Sequence, residues 1–224
     1  MTDRSITNYR YIAIEGNIGA GKTTLTQALC QHLNAKGIYE QFVDNPFLPR
    51  FYENPDKYAL QLELSFLVER FRQLKEELES SLFHNSIVAD YYLKKSLVFA
   101  SATLNEDDFK LYARIFHSMT STLPEPDLII YLHQNPNQLL KNIAHRGRTY
   151  ESNISANYLE EIQKSYFRFF RQVNAFPVVV VDCQKMDFVE NNDLMNQLLS
   201  IPRQSFSRGY NVYELEKVSR QYKK

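Results

Sequence analysis

The segment Gly16-Asn17-Ile18-Gly19-Ala20-Gly21-Lys22-Thr23 constrains this chain more than any other. It fits G-x-x-x-x-G-K-[ST] at every specified position. Its flanks fit too: the apolar run Tyr11–Glu15 precedes it and a helical pattern from Lys22 to about Ala35 follows. Glycines let such a loop fold tightly, so that its N–H groups point inward, and the helix adds the positive end of its dipole. A ring of amides beside a lysine suits the oxygens of a triphosphate. On this reading Gly16, Asn17, Ile18, Gly19, Ala20, Gly21, Lys22, Thr23 and Thr24 bind ATP. Lys22 reaches the β- and γ-phosphates, and the Thr23 hydroxyl serves Mg²⁺. The motif specifies nucleotide and metal, not the reaction. An Asn-Lys-x-Asp segment, which would read guanine on a bound nucleotide, is missing from the sequence.

The rest of the chain alternates short apolar runs with long amphipathic segments. Strands are expected at Tyr11–Glu15, Tyr39–Val43, Ser86–Asp90, Asp127–Leu132 and Phe176–Val181. Helical spacing runs over Lys57–Leu82 (Leu60, Leu64, Leu67, Phe71, Leu74, Leu78) and over Asp107–Ser121. The last two strand runs are apolar throughout, as strands covered on both faces must be. The pattern predicts an α/β fold: a five-stranded parallel sheet with helices on both faces, in one domain spanning 1–224. Ligands on such a sheet bind beyond the carboxyl ends of the strands. A lid loop is expected at about 145–155, and a polar tail at about 203–224 that docks or stays mobile.

Lys plus Arg and Asp plus Glu both total 26, so the chain lacks the broad positive field of a nucleic-acid binder. Cys30 and Cys183 are too few and too far apart for a disulfide framework. No apolar signal region follows Met1–Ser5, and no run approaches the ~20 apolar residues of a membrane span. A soluble cytoplasmic protein with no nucleic-acid polymer or membrane as partner is expected.

His145-Arg146-Gly147-Arg148-Thr149-Tyr150-Glu151 follows the fourth strand and its helix. Two arginines across a glycine can clamp the oxygens of a transferring phosphoryl group. Here the resemblance becomes specific. Ile14–Leu25 resembles the opening of the deoxynucleoside kinase family. Asp44-Asn45-Pro46-Phe47-Leu48-Pro49 with Phe51-Tyr52-Glu53-Asn54-Pro55 is similar to its bacterial branch, and Arg146-Gly147-Arg148 with Glu151 resembles its lid. The likeness runs from about residue 10 to about 171. It implies ATP-dependent transfer to the 5′-hydroxyl of a deoxyribonucleoside by a homodimer with a four-helix contact. Glu40 takes the place of the acidic residue that receives the hydroxyl proton, although the family's following Pro-Val is here Gln41-Phe42. Tyr52 and Glu151 match the pair that holds the sugar 3′-hydroxyl. The implied catalytic set is Glu40, Lys22, Asp90, Arg146 and Arg148. The implied substrate set is Glu40, Tyr52, Glu63, Arg70, Asp90 and Glu151, with Thr23 and Asp90 at the metal.

Two departures matter. The family carries acidic-Arg-Ser at the end of the third strand. Here Asp90 fits the acid, Tyr91 stands at the arginine, and Lys94 or Lys95 is the candidate replacement. Glu63, seven residues before Arg70 and so on the same helix face, stands where the family has a base-reading glutamine. A carboxylate offers only acceptors and suits the two donors of guanine, whereas adenine needs the protonated acid or help from Arg70. A purine acceptor with guanine ahead is expected. Phe66, Phe71 and Phe116 are candidates to sandwich the base. The stripe Tyr166, Phe167, Phe169 and Phe170 reads as packing, and Phe99, Leu111, Ile115 and Phe116 lie on the central helices. Two other readings stay open: a thymidylate-type nucleoside monophosphate kinase, and a non-catalytic nucleotide-binding subunit.

Overall fold

The computed structural model describes residues 7–41, 45–80, 84–184 and 188–216. Strand β1 (Tyr11–Gly16) is buried along its whole length and leads into the glycine-rich loop. Helix α1 (Lys22–Leu33) starts directly behind that loop, with Gly21 at its N-cap in the left-handed region at φ 87°. A Cβ on Gly21 would stand 2.7 Å from Phe188 Cζ, and one on Gly19 (φ 81°) would stand 2.9 Å from the Leu139 carbonyl. Backbone conformation and close approach thus both require glycine at these two positions.

Five further strands join β1 in one parallel sheet: β2 (Lys36–Ile38), β3 (Ile87–Ala89), β4 (Leu128–His133), β5 (Pro177–Asp182) and β6 (Gly209–Tyr213). The strand order is β2-β3-β1-β4-β5-β6, so the sheet has six strands where five were expected. The sixth lies in the stretch read as polar tail. As an edge strand it alternates half-buried and exposed residues and therefore carries no continuous apolar run. The second strand also differs. Pairing is confined to Lys36–Ile38, and of the predicted Tyr39–Val43 run, Phe42 and Val43 lie outside the described residues. The ladder stops because the Asp90 side chain, not a main-chain carbonyl, accepts the N–H of Glu40 at 2.6 Å. The chain turns off the sheet edge there.

Helices cover both faces, as the pattern predicted. Ile12, Ile14, Ile130, Leu132, Val179 and Val181 pack with Leu25 and Leu29 of α1. The alternate residues Ala13, Ile129, Tyr131, Val178 and Val180 face the other side. They meet Val98 of α4 (Lys95–Thr103) and Ile162, Tyr166 and Phe170 of α7 (Ala156–Phe170). The aromatic stripe on α7 is therefore packing, as read. Between β2 and β3 lie α2 (Phe47–Glu53) and the long α3 (Pro55–Glu79), whose Asn54 cap accepts from the Lys57 N–H ahead of Pro55. The buried stripe of α3 is Ala59, Leu62, Glu63, Leu67, Arg70 and Leu74, so two ionisable residues stand on a core-facing helix surface. Helix α5 (Glu106–Thr120) packs on α3 and α4. Helix α6 (Pro136–Arg146) follows β4 and ends at Gly147 in the left-handed region at φ 72°, where the lid begins. Helix α8 (Asn192–Ser200) contacts α1. No helix among the described residues is long and apolar enough to cross a membrane.

Candidate active site

A cleft of about 680 Å³ opens beyond the carboxyl ends of β1 and β3. Ile18, Gly19, Ala20, Gly21, Lys22, Thr23 and Thr24 line one end of it. Gly16 and Asn17 stand behind that wall. Their carbonyls each accept from Lys22 Nζ at 3.0 Å. The Asn17 side chain ties the loop to α7 by donating to the Leu159 carbonyl at 2.7 Å. Asn142 of α6 holds the loop from the other side by donating to the Gly19 carbonyl at 2.8 Å. Burial, then the neighbouring Lys95, pushes the Lys22 ammonium down to about 8.

Asp90 joins the loop to the acceptor side. One carboxylate oxygen accepts from the Thr23 hydroxyl at 2.8 Å and the other from the Glu40 N–H at 2.6 Å. Burial raises the proton affinity of its carboxyl. Among the described residues no cluster of three or more His, Cys, Asp or Glu is arranged for a metal. The adjacent hydroxyl and carboxylate fit Mg²⁺ all the same, since that ion takes few protein oxygens and keeps most of its waters.

Glu40 faces the cleft with both oxygens paired: Arg70 Nε at 2.7 Å and Lys95 Nζ at 2.8 Å. Burial opposes its charge, but Lys95 and Arg70 outweigh burial and hold the carboxyl well below the usual carboxylate range. Of the two lysines weighed against Tyr91, Lys95 is the one at the cleft. Tyr91 is fully buried and turns away, donating its hydroxyl to Gln73 at 2.8 Å. Lys95 is 4% exposed and lines the cleft, whereas Lys94 faces outward and pairs with Glu125. Neighbours on a helix point about 100° apart, so only one of the two lysines can enter.

Beyond Glu40 the cleft widens between α2, α3 and the lid. Glu63 is 2% exposed. One of its oxygens accepts from Thr103 Oγ1 at 3.2 Å, and the other has no partner. Its helix neighbour Arg70 donates instead to Glu40 and, through Nη1, to Ser96 at 2.8 Å. Phe66 lines the wall with the Arg70 guanidinium 4.7 Å from its ring centre. Of the other aromatics considered for the base, Phe116 is in the core at 1% exposure and Phe71 is not on the wall. Phe99, assigned only to a central helix, does line the cleft, as does Tyr158 of α7.

Tyr52 and Glu151 close the far end together, and Tyr158 packs edge-on against Tyr52. Glu151 is buried and is gripped by Arg146 through Nε at 3.1 Å and Nη2 at 2.6 Å, with Arg148 Nη1 at 3.4 Å. Both lid arginines thus border the cleft, held by the residue matched to the sugar. Sequence reasoning missed Ser96, Thr103, Asn142 and Tyr158, all short polar or aromatic residues on helices with no motif around them. Asp44, part of the resemblance, lies outside the described residues.

A family model described as deoxynucleoside kinase matches residues 12–204. The deoxyguanosine kinase of Bacillus subtilis (strain 168) is 38% identical over 186 residues, covering 81% of this chain and 90% of that protein. The deoxyadenosine kinase of Dictyostelium discoideum is 32% identical over 191 residues, covering 84% and 77%. Among solved structures, deoxyadenosine kinase from M. mycoides with bound dCTP superposes with a TM-score of 0.70 at 27% identity, over 85% of this chain and 99% of that one. With the glycine-rich loop, the cleft and its carboxylates arranged as above, this chain belongs to the deoxynucleoside kinase family.

Proposed function

We propose that this chain transfers the γ-phosphoryl group of ATP to the 5′-hydroxyl of a deoxyribonucleoside, purines preferred and guanine ahead of adenine. The observation that carries this reading is the position of Glu40. Its carboxylate lies between the phosphate loop, through Asp90 and Thr23, and the buried wall that bears Glu63 and Arg70. A nucleoside laid with its base toward Glu63 and its 3′-hydroxyl on Tyr52 and Glu151 presents its 5′-hydroxyl to Glu40.

Mg²⁺, held on the Thr23 and Asp90 side, would supply charge neutralisation to the phosphates. Lys22 and the loop amides hold the phosphate tail. Glu40 orients the attacking hydroxyl. Its low proton affinity is no obstacle, because in a loose phosphoryl-transfer transition state the hydroxyl loses its proton late, once bonding to phosphorus has made it acidic. Lys95 supplies the fixed positive charge that Tyr91 cannot. That removes the main argument for a non-catalytic subunit. Arg146 and Arg148 exchange Glu151 for phosphoryl oxygens as the lid closes.

The purine preference draws support from the deoxyguanosine kinases of Bacillus subtilis and Lactobacillus johnsonii and the deoxyadenosine kinase of Dictyostelium discoideum among the relatives. A cytoplasmic homodimer working in purine salvage completes the reading. Val68 on α3 and Leu111 on α5, both exposed apolar residues, are available to a helix–helix contact. The test is an acceptor panel of deoxynucleosides and their monophosphates with ATP and Mg²⁺, with Lys22→Ala as control. Deoxyguanosine and deoxyadenosine should be phosphorylated and the control should be inactive. Turnover of monophosphates alone would favour the thymidylate-type reading.

A further inference from the structure

We infer that a single proton on Glu63 selects between the two purines, the carboxylate accepting guanine and the carboxylic acid accepting adenine. The inference rests on the deoxynucleoside kinase reading above and concerns the base end of that same cleft. Buried polar atoms are nearly always paired, so an orphan on a cavity wall marks where a ligand's polar edge belongs. Glu63 Oε2 is such an atom: buried, unpartnered, and on a residue that lines the cleft.

The charge on Glu63 is decided by what surrounds it. On α3 itself Arg70 is committed to Glu40 and Ser96. On α4 Lys95 is committed to Glu40, and Thr103 gives one neutral hydrogen bond. From α5 the Tyr112 hydroxyl donates to the Glu63 main-chain carbonyl, at 3.4 Å, and not to its carboxylate. Tyr52 of α2, Tyr158 of α7 and the Glu40 carboxylate also face it, and none of them is a cation. Burial therefore dominates and pushes the carboxyl up to about 7, with Arg70 and then Thr103 offsetting it only in part. Both forms are populated near neutral pH.

The two forms read different edges. Guanine presents two adjacent donors, N1–H and the 2-amino group, which two carboxylate oxygens accept together. Adenine presents a donor at N6 and an acceptor at N1, which a carboxylic acid matches with its carbonyl oxygen and its O–H. Adenine N1 against the carboxylate sets two acceptors face to face, whereas guanine on the acid can pair N1–H and O6 only by leaving its 2-amino group unmet. Errors of this kind in a dry pocket discriminate between substrates, the first more strongly.

The experiment is kcat/KM for deoxyguanosine and for deoxyadenosine, measured on the whole protein in steps between about pH 6 and pH 8. Their ratio cancels every group that acts equally on both acceptors, the phosphate loop included. The deoxyguanosine-to-deoxyadenosine ratio should climb with pH by up to about tenfold per unit. In Glu63→Gln the ratio should be flat and shifted toward deoxyadenosine. Should that variant not fold, the same proton is read in the unaltered protein by ¹³C NMR of the glutamate carboxyls. Saturating deoxyguanosine should lower, and saturating deoxyadenosine raise, the pH at which one cleft carboxyl titrates, and no difference between the two overturns the inference. A flat or falling ratio in the unaltered protein overturns the inference, as does a slope that survives in Glu63→Gln. Failure of both nucleosides to be phosphorylated at any pH overturns the underlying kinase reading instead.

Discussion

Glu40 and Glu63 stand in the same cleft, both largely removed from water, and they end with opposite charge preferences. Glu40 has a cation on each oxygen, Arg70 and Lys95. Glu63 has one neutral hydroxyl and an unpartnered oxygen. Arg70 is the arbiter. It sits two helical turns from Glu63 on the same face of α3, yet its Nε and Nη1 point to Glu40 and Ser96. Burial is common to both carboxyls, so it is where Lys95 and Arg70 point that divides the cleft into a charged reaction end and a nearly neutral recognition end. Paired groups whose environments push their proton affinities apart are how one site assigns different tasks to the same residue type.

The reaction end breaks most visibly. Glu40→Gln should lower kcat by about 10²–10⁴-fold, the range for a positioned proton acceptor, with a smaller change in KM. Lys95→Met should cost on the order of 10²-fold in kcat, because a preorganised charge beside the transferring group is lost. Steady-state kinetics with deoxyguanosine checks both. A variant at either position that retains unaltered turnover would mean the charged end does no chemistry.

The recognition end should respond in selectivity and not in turnover. In Glu63→Gln the deoxyguanosine-to-deoxyadenosine preference at about pH 8 should fall by roughly 10–100-fold, read from kcat/KM ratios. The same pair of carboxyls should separate in stability. Burial pushes the Glu63 carboxyl up to about 7, so the folded state holds its proton more tightly than the unfolded one. Its contribution is fully present below about 4.5 and is lost as pH rises through about 7. Thermal melts should therefore show Glu63→Gln gaining a few degrees on the parent at about pH 8 and little at about pH 5. Glu40 has the reverse sign. Its carboxyl is held low, so its contribution is present above the ordinary carboxylate range and fades as pH falls through the folded value. The smallest effect belongs to Lys94→Ala. That side chain and its partner Glu125 are both more than a third exposed, so stability should change by about 0–1 kcal/mol and kinetics not at all.

Much of this was legible in the residues. The phosphate loop is a local structure whose glycines and lysine carry their own geometry, and the central strands are apolar throughout because helices cover both faces. The shared Glu63–Arg70 face follows from helical spacing, whereas the Tyr52–Glu151 pair was implied by the family resemblance. The edges were not legible. Strands β2 and β6 are short, half-exposed and mixed in polarity, so their pattern resembles loop. The replacement for the family arginine was narrowed to Lys94 or Lys95 but could not be decided, since the choice depends on where α4 begins. The split of Arg70 toward Glu40 was invisible for a similar reason. Glu40 is 30 residues away in sequence and comes within reach only because Asp90 turns the chain off the sheet edge.

The division of the cleft is tested most directly by ¹³C NMR titration of the glutamate side-chain carboxyls in the ligand-free protein, with Glu63→Gln and Glu40→Gln used to assign the two signals. The account predicts that the signal lost in Glu63→Gln titrates near 7, and that the signal lost in Glu40→Gln stays ionised throughout the range above pH 4.5. A Glu63 signal titrating in the ordinary carboxylate range, or a Glu40 signal that takes up its proton near neutral pH, would contradict it.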